Sequence, residues 1–199
     1  MKLYMTLPSP FARKVRIVAR EKALAGRIEE IAVDPYADAA ELMSTNPVVQ
    51  VPTLVAEDGL ALTDSLLICE YLDGLGRGPR LIPAEGVDRL RVRRLETLAI
   101  GALEMGVKRV LELRRPEHER SPSWIARWTR NLGRSLDALE LAAATPEPLD
   151  IGVITTGVLL TWLDFRHPDI DWRSGRPNLV ELQAALEQRT SFAETRPDL

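Results

Sequence analysis

A change of period along the chain constrains this sequence more than any other feature. Up to about residue 75, short runs of strand character alternate with helical ones. After "GRGPRLIPAEG", residues 76–86, only helical periodicity remains. "KLYMT" and "RIEEIAV" read as strands. Between them "FARKVRIVAREKAL", starting after Pro10, places Phe11, Val15, Val18, Ala19 and Leu24 at helical spacing with Arg and Lys on the other face. Gly26 fits the end of that helix. "DAAELMSTN" is a short helix closed by Asn46-Pro47. "VPTLVAEDGLAL" is a hairpin turned at Asp58-Gly59, and "TDSLLICEYLDGL" is a capped helix. The order β-α-β-α-β-β-α predicts two parallel strands joined through a helix, with the hairpin adding antiparallel edges. The fold class is therefore α/β followed by all-α: a first domain over 1–76, a linker over 77–85 and a helical domain over 86–199.

The helical half carries patterns at 88–114, 121–143, 150–166 and 176–189, the second opened by Ser121 with Pro122 at its first position. "IGVITTGVLLTWL", residues 151–163, is the longest uncharged stretch; a membrane span needs about 20 apolar residues, so this one reads as a core helix. "MKLYMTLP" is too short and too soon broken by Pro8 to read as a signal peptide. A net charge of −3 gives no general attraction to nucleic acid or anionic membrane. Cys69 is the single cysteine, which excludes an intrachain disulfide and is compatible with a reducing, cytoplasmic location.

Three places are able to hold a ligand. Ser9, between Pro8 and Pro10, is an N-cap for the first helix, since a residue before proline is pushed extended and proline suits the first helical position. Its hydroxyl, at an electropositive helix entrance, is equally suited to a thiolate, and the two roles are compatible. Val51, held extended before Pro52, offers backbone groups to an extended peptide; an ordinary loop-to-strand proline is the alternative. Thr63 or Asp64 caps the third helix, with Ser65 in its first turn, where free N–H groups suit a carboxylate and Asp64 suits an ammonium group.

In this order, on this alternation and ahead of an all-helical half, the three features resemble the glutathione transferases. The resemblance runs over essentially the whole chain and is closest to small bacterial members that open with an SPF-x-R-K stretch. It implies a thioredoxin-like first domain that binds glutathione and a helical domain that walls the second substrate. By position, Ser9 faces the glutathione sulfur, Val51 pairs with its cysteinyl part beside a cis Pro52, and Asp64 and Ser65 hold the γ-glutamyl end, with Phe11 and Gln50 also at the site. Met105 and Lys108 are the expected second-substrate contacts. The activity implied is conjugation of glutathione, as co-substrate and without a metal, to small electrophiles in detoxification. Glutathione-dependent isomerisation or dehalogenation, or a non-catalytic interaction module, are the alternatives, because fold does not fix function. The family also implies a homodimer. Departures exist: Gln50 stands where many members carry Lys or Arg, Val153 leaves only half a capping box after Asp150, and no cysteine lies near the first helix.

Other conspicuous residues are expected to be structural. Cys69 lies on an apolar face beside Leu66 and Leu72. His118 and His167 lack catalytic neighbours, and the Arg89, Arg91, Arg93, Arg94 run, flanked by Asp88 and Glu96, reads as a solvated face or subunit contact. Trp124 and Trp128 are expected in core or interdomain packing, and Trp162 in the core.

Overall fold

The computed structural model describes residues 1–143 and 148–197. It divides into two units, Met1–Ile82 with Arg189–Leu199, and Pro83–Gln188.

The first unit contains β1 (Lys2–Met5), α1 (Pro10–Glu21), β2 (Glu29–Ala32), α2 (Ala40–Thr45), β3 (Thr53–Val55), β4 (Ala61–Thr63), α3 (Ser65–Leu75) and α8 (Thr190–Ala193). Its sheet runs β2-β1-β3-β4, with β1 parallel to β2 and antiparallel to β3, and β3 antiparallel to β4. The parallel β1–β2 pair and the antiparallel β3–β4 hairpin are as predicted; the antiparallel pairing of β1 with β3, which sets the strand order, comes from the structure. Leu3, Ala12, Val15, Val18, Leu54, Ile68 and Leu72 form the fully buried centre of this unit.

Helix α1 departs from its sequence reading at its C-terminal end. Gly26 was expected at its end, but the helix stops at Glu21, and Ala23 takes the left-handed position at φ 55°. The Leu24 N–H returns to the Ala19 carbonyl at 2.7 Å, and Leu24 is buried. This six-to-one bond with an apolar anchor is the Schellman arrangement; burying Leu24 offsets the strain at Ala23. The basic face opposite the apolar stripe is itself buried at Arg13, Lys14 and Arg16. The reason is the C-terminal segment and β2. Arg13 donates to the Phe192 carbonyl at 3.2 Å and lies over the Phe192 ring. Arg16 and Arg20 meet Glu30, Arg20 reaches Glu194, and Glu21 accepts from Arg189 and Ser191.

The start of the Gly/Pro-rich connector is held in this unit too. The Lys22 ammonium lies 3.1 Å from the Asp73 carboxylate and donates to the Pro79 carbonyl at 2.8 Å, while Asp73 accepts from the Leu81 and Ile82 N–H groups. Both side chains are essentially inaccessible.

The second unit contains α4 (Gly86–Arg114), α5 (Pro122–Ala142), α6 (Ile151–Arg166) and α7 (Pro177–Glu187), with no strand among its described residues. Every residue from Ile151 to Leu160 is buried, as expected of the apolar run. Asp150 caps α6 by accepting the Val153 N–H at 2.8 Å, and its burial, with Glu96 nearby, pushes its carboxyl pKa up. Gly106 permits the close approach of α4 to α6: a Cβ there would lie 2.7 Å from the Trp162 ring.

Candidate functional site

The sheet register brings the three candidate places together. Tyr4 pairs with Thr53, and Thr53 with Thr63. The exit of β1, the entrance of β3 and the exit of β4 therefore lie side by side at one end of the sheet. From that end depart the segments carrying Ser9, Val51-Pro52 and Asp64-Ser65.

Ser9 is a cap, as its neighbours dictate. It is extended at φ −76°, ψ 119°, its Oγ accepts from the Ala12 N–H at 3.2 Å, and its carbonyl accepts from Arg13 at 3.0 Å. Accepting leaves the hydroxyl proton uncommitted, since a serine carries one O–H donor besides its lone pairs. The Phe11 N–H has no partner among the described residues, Phe11 is half-buried, and the first turn of α1 holds no acidic side chain. The entrance of α1 thus keeps one hydroxyl donor and one amide available, in the positive field of the helix.

The segment from α2 to β3 is irregular but tightly pinned. Val49 sits at φ 55°, a genuine outlier for a β-branched residue. The Val51-Pro52 bond is cis. Asn46, buried, donates from Nδ2 to the Gln50 carbonyl at 3.1 Å and to Thr53 Oγ1 at 2.9 Å, and accepts the Val48 N–H at 2.9 Å. The Thr53 hydroxyl donates to the same Gln50 carbonyl at 2.8 Å. The Gln50 side chain is exposed. Neither backbone polar group of Val51 is hydrogen-bonded among the described residues.

Of the two cap candidates before α3, Asp64 takes the role: its Oδ1 accepts the Leu66 N–H at 2.7 Å. It does so at φ 73°, a strained value for a residue other than glycine. Asp64 is exposed, and the buried Ser65 begins the helix with a hydroxyl that has no partner among the described residues. Two strained residues thus lie in the segments that meet at this sheet end.

Asn46 and Thr53 were not singled out in the sequence. The only signals were Asn46 before Pro47, which reads as a helix stop, and a threonine inside an apolar strand. Met105, half-buried, and Lys108, exposed, lie on α4 of the second unit.

Of the remaining conspicuous residues, some are packed inside and others lie at the surface. Cys69 and Trp162 are buried, and His118 is exposed. Arg91 pairs with Asp88, Arg93 with Glu96, and Arg89 donates to the Pro83 carbonyl. Trp128 stacks on Trp124 at 5.7 Å, but Trp124 is half exposed and Trp128 only partly covered, so the expected core placement of Trp124 is overturned. It lies in the first turn of α5, with the Arg127 guanidinium over its ring at 5.9 Å. His167 is buried in the second unit, where Arg109 donates to its Nδ1 at 2.6 Å and Nε2 meets the Gly106 carbonyl at 3.0 Å. An arginine donor on Nδ1 requires the neutral ring protonated at Nε2. Burial lowers its pKa in the same sense. Among the described residues, no group of three His, Cys, Asp or Glu side chains is placed to hold a metal ion, and no helix is long and apolar enough to cross a membrane.

A mixed four-stranded sheet with helices, an uncommitted hydroxyl at the first helix entrance and unpaired peptide groups beside a cis proline define a thioredoxin-like domain joined to a helical one, the glutathione transferase fold. The family model described as "Glutathione S-transferase, N-terminal domain" matches residues 8–75. The uncharacterized GST-like protein YibF of Escherichia coli is 35% identical over 201 residues, covering 99% of this chain and 98% of that protein. A glutathione transferase family member from Pseudomonas fluorescens Pf-5, solved with bound glutathione, is 32% identical with a TM-score of 0.94 over 100% of this chain and 99% of that one. A glutathione S-transferase from Methylobacillus flagellatus, also solved with glutathione bound, is 33% identical with a TM-score of 0.92 over 99% of each chain. The chain belongs to the glutathione S-transferase family.

Proposed function

We propose that this protein binds glutathione at the end of its sheet and conjugates its thiolate to small electrophiles. One observation carries the reading: the register Tyr4–Thr53–Thr63 gathers the Ser9, Val51 and Asp64-Ser65 segments at one sheet end. Two strand spacings are about 10 Å. Three residues of extended peptide span about 10 Å as well. A tripeptide laid across the strand ends reaches all three segments.

The roles follow from the groups available. Val51 offers one donor and one acceptor to the cysteinyl peptide, like an added strand. Asp64 and the Ser65 hydroxyl take the γ-glutamyl ammonium and carboxylate. Gln50 and Phe11 flank them; with glutamine at 50, the glycyl carboxylate meets a neutral side chain. Met105 and Lys108 are the proposed contacts for the second substrate. The Ser9 hydroxyl donates to the sulfur while its oxygen still caps α1. A free thiol titrates near 8.5, so at neutral pH a small fraction is nucleophilic. A hydrogen bond to a charged group is worth about 1.5–3 kcal/mol and the helix entrance about 0.3–1 kcal/mol. Together they lower the thiol pKa by about one to three units. The sulfur lone pair then forms the C–S bond as the leaving group departs with its electron pair.

The same reading makes the protein a cytoplasmic, homodimeric detoxification enzyme of the SPF-x-R-K group. Retention on immobilised glutathione, followed by conjugation to an aryl halide, tests it. No retention refutes glutathione binding and favours an interaction module. Retention without conjugation refutes the transferase activity and leaves isomerisation, dehalogenation or binding alone.

A further inference from the structure

We infer that Asn46 and Thr53 are positioning residues for the ligand, acting through a single peptide plane. The inference rests on the glutathione reading above and adds how the site keeps its central contact aimed. The Gln50 carbonyl and the Val51 N–H belong to one trans peptide unit, so they point in opposite directions and turn only together. The carbonyl is held by two side-chain donors, Asn46 Nδ2 at 3.1 Å and Thr53 Oγ1 at 2.8 Å. Two bonds from different directions fix both the tilt and the rotation of that plane. The Val51 N–H is thereby committed to the opposite side, where no described residue accepts it.

The pair is organised as a chain with one consistent direction of donation. Asn46 Nδ2 also donates to Thr53 Oγ1 at 2.9 Å, which frees the Thr53 proton for Gln50. Asn46 Oδ1 accepts the Val48 N–H at 2.9 Å, and the Asn46 carbonyl accepts the Val49 N–H at 2.9 Å. These bonds hold Val49 at its φ of 55°, a conformation that a β-branched residue does not adopt unaided. Asn46 and Thr53 are both buried, so water does not substitute for either. Neither side chain has to touch the ligand. Without them the Gln50–Val51 plane is free to rotate, and ordering it again on binding opposes affinity.

The test uses the full chain, labelled with 15N, and measures glutathione affinity by calorimetry together with the shift of the Val51 amide resonance on binding. Thr53→Val removes the hydroxyl at nearly constant shape. Asn46→Asp keeps the acceptor for Val48 and removes both donors. Each is expected to weaken glutathione binding about tenfold, the scale of one lost hydrogen bond. Each is also expected to raise the KM for glutathione while leaving the pH midpoint of the conjugation rate in place, because Ser9 and the α1 entrance are untouched. Thr53→Ser, which restores the donor, is expected to bind as the parent does. A folded Thr53→Val with parental affinity overturns the inference, as does a Thr53→Ser as weak as Thr53→Val. Should Asn46→Asp fail to fold, the two Thr53 variants decide. A parent protein that binds no glutathione removes the functional reading and this inference with it; a parent that binds, with unaffected variants, removes the inference alone.

Discussion

Replacing Ser9 separates two roles that its single oxygen combines. As a cap it accepts the Ala12 N–H at 3.2 Å, and as a ligand group it would donate its proton to a sulfur. Ser9→Ala removes both. Loss of the cap is worth about 1 kcal/mol of stability. Loss of a donor to a thiolate is worth about 1.5–3 kcal/mol, which raises the bound thiol pKa by about one to two units. Ser9→Asp removes only one role. Its carboxylate caps a helix at least as well as serine and favours the helix entrance, so stability should stay within about 0.5 kcal/mol of the parent. It donates nothing to the sulfur and sets a negative charge beside it. Conjugation of an aryl halide, followed from pH 6 to 9.5 beside urea denaturation, reads both quantities. Ser9→Ala should conjugate at least tenfold more slowly at neutral pH and recover as pH rises. Ser9→Asp should remain stable and show the larger loss of rate. A Ser9→Ala protein with the parental pH–rate profile would mean that the hydroxyl is a cap and nothing more, and the proposed thiolate chemistry would be wrong.

Asp73→Ala should cost about 3–5 kcal/mol, because it leaves the buried Lys22 charge without its counter-ion and the Leu81 and Ile82 N–H groups without their acceptor; a loss below about 1 kcal/mol in urea denaturation would contradict that origin of connector order. Gly106→Ala should destabilise by about 1–3 kcal/mol through overpacking against Trp162, measured as a lower Tm; an unchanged Tm would show that the ring moves aside freely. His167 has its pKa lowered by burial, so the unfolded chain takes up its proton first as pH falls. Its contribution to stability is intact above the ordinary imidazole value of about 6.5 and declines below it. Glu21, Glu30 and Asp164, whose arginine partners outweigh burial and hold their pKa values down, lose stability only in a more acidic range, below the ordinary carboxylate values of 4.5 and 3.8. Urea midpoints between pH 7.5 and 5.5 should therefore fall for the parent, and His167→Gln should flatten the slope; an unchanged slope would assign it elsewhere.

Much of the site was legible because its residues act on their immediate neighbours. Ser9, Asp64, Ser121 and Asp150 each cap the helix that follows, by accepting an N–H two or three residues ahead. Asp58-Gly59 reverses the hairpin by the same local chemistry. Asn46 and Thr53 escaped notice because their importance lies in a shared acceptor, the Gln50 carbonyl, and no side-chain periodicity records a backbone acceptor. The burial of the basic face of α1 was illegible for a different reason. Amphipathic spacing assigns charged residues to solvent, whereas Arg13 finds its acceptor in Phe192, 179 residues further along.

The sequence by itself determined the alternation of strands and helices, the all-helical second half, the caps and the order of the candidate ligand groups. Those depend on periods of two and 3.6 residues and on bonds spanning a single turn. Only the tertiary structure decided that Ser9, Val51 and Asp64 emerge from one end of one sheet, that the C-terminal segment covers α1, and that Lys22 meets Asp73 away from water. These pairings join segments far apart in the chain. They form because the apolar faces of distant elements must be buried together, and local chemistry carries no record of which distant partner covers which face.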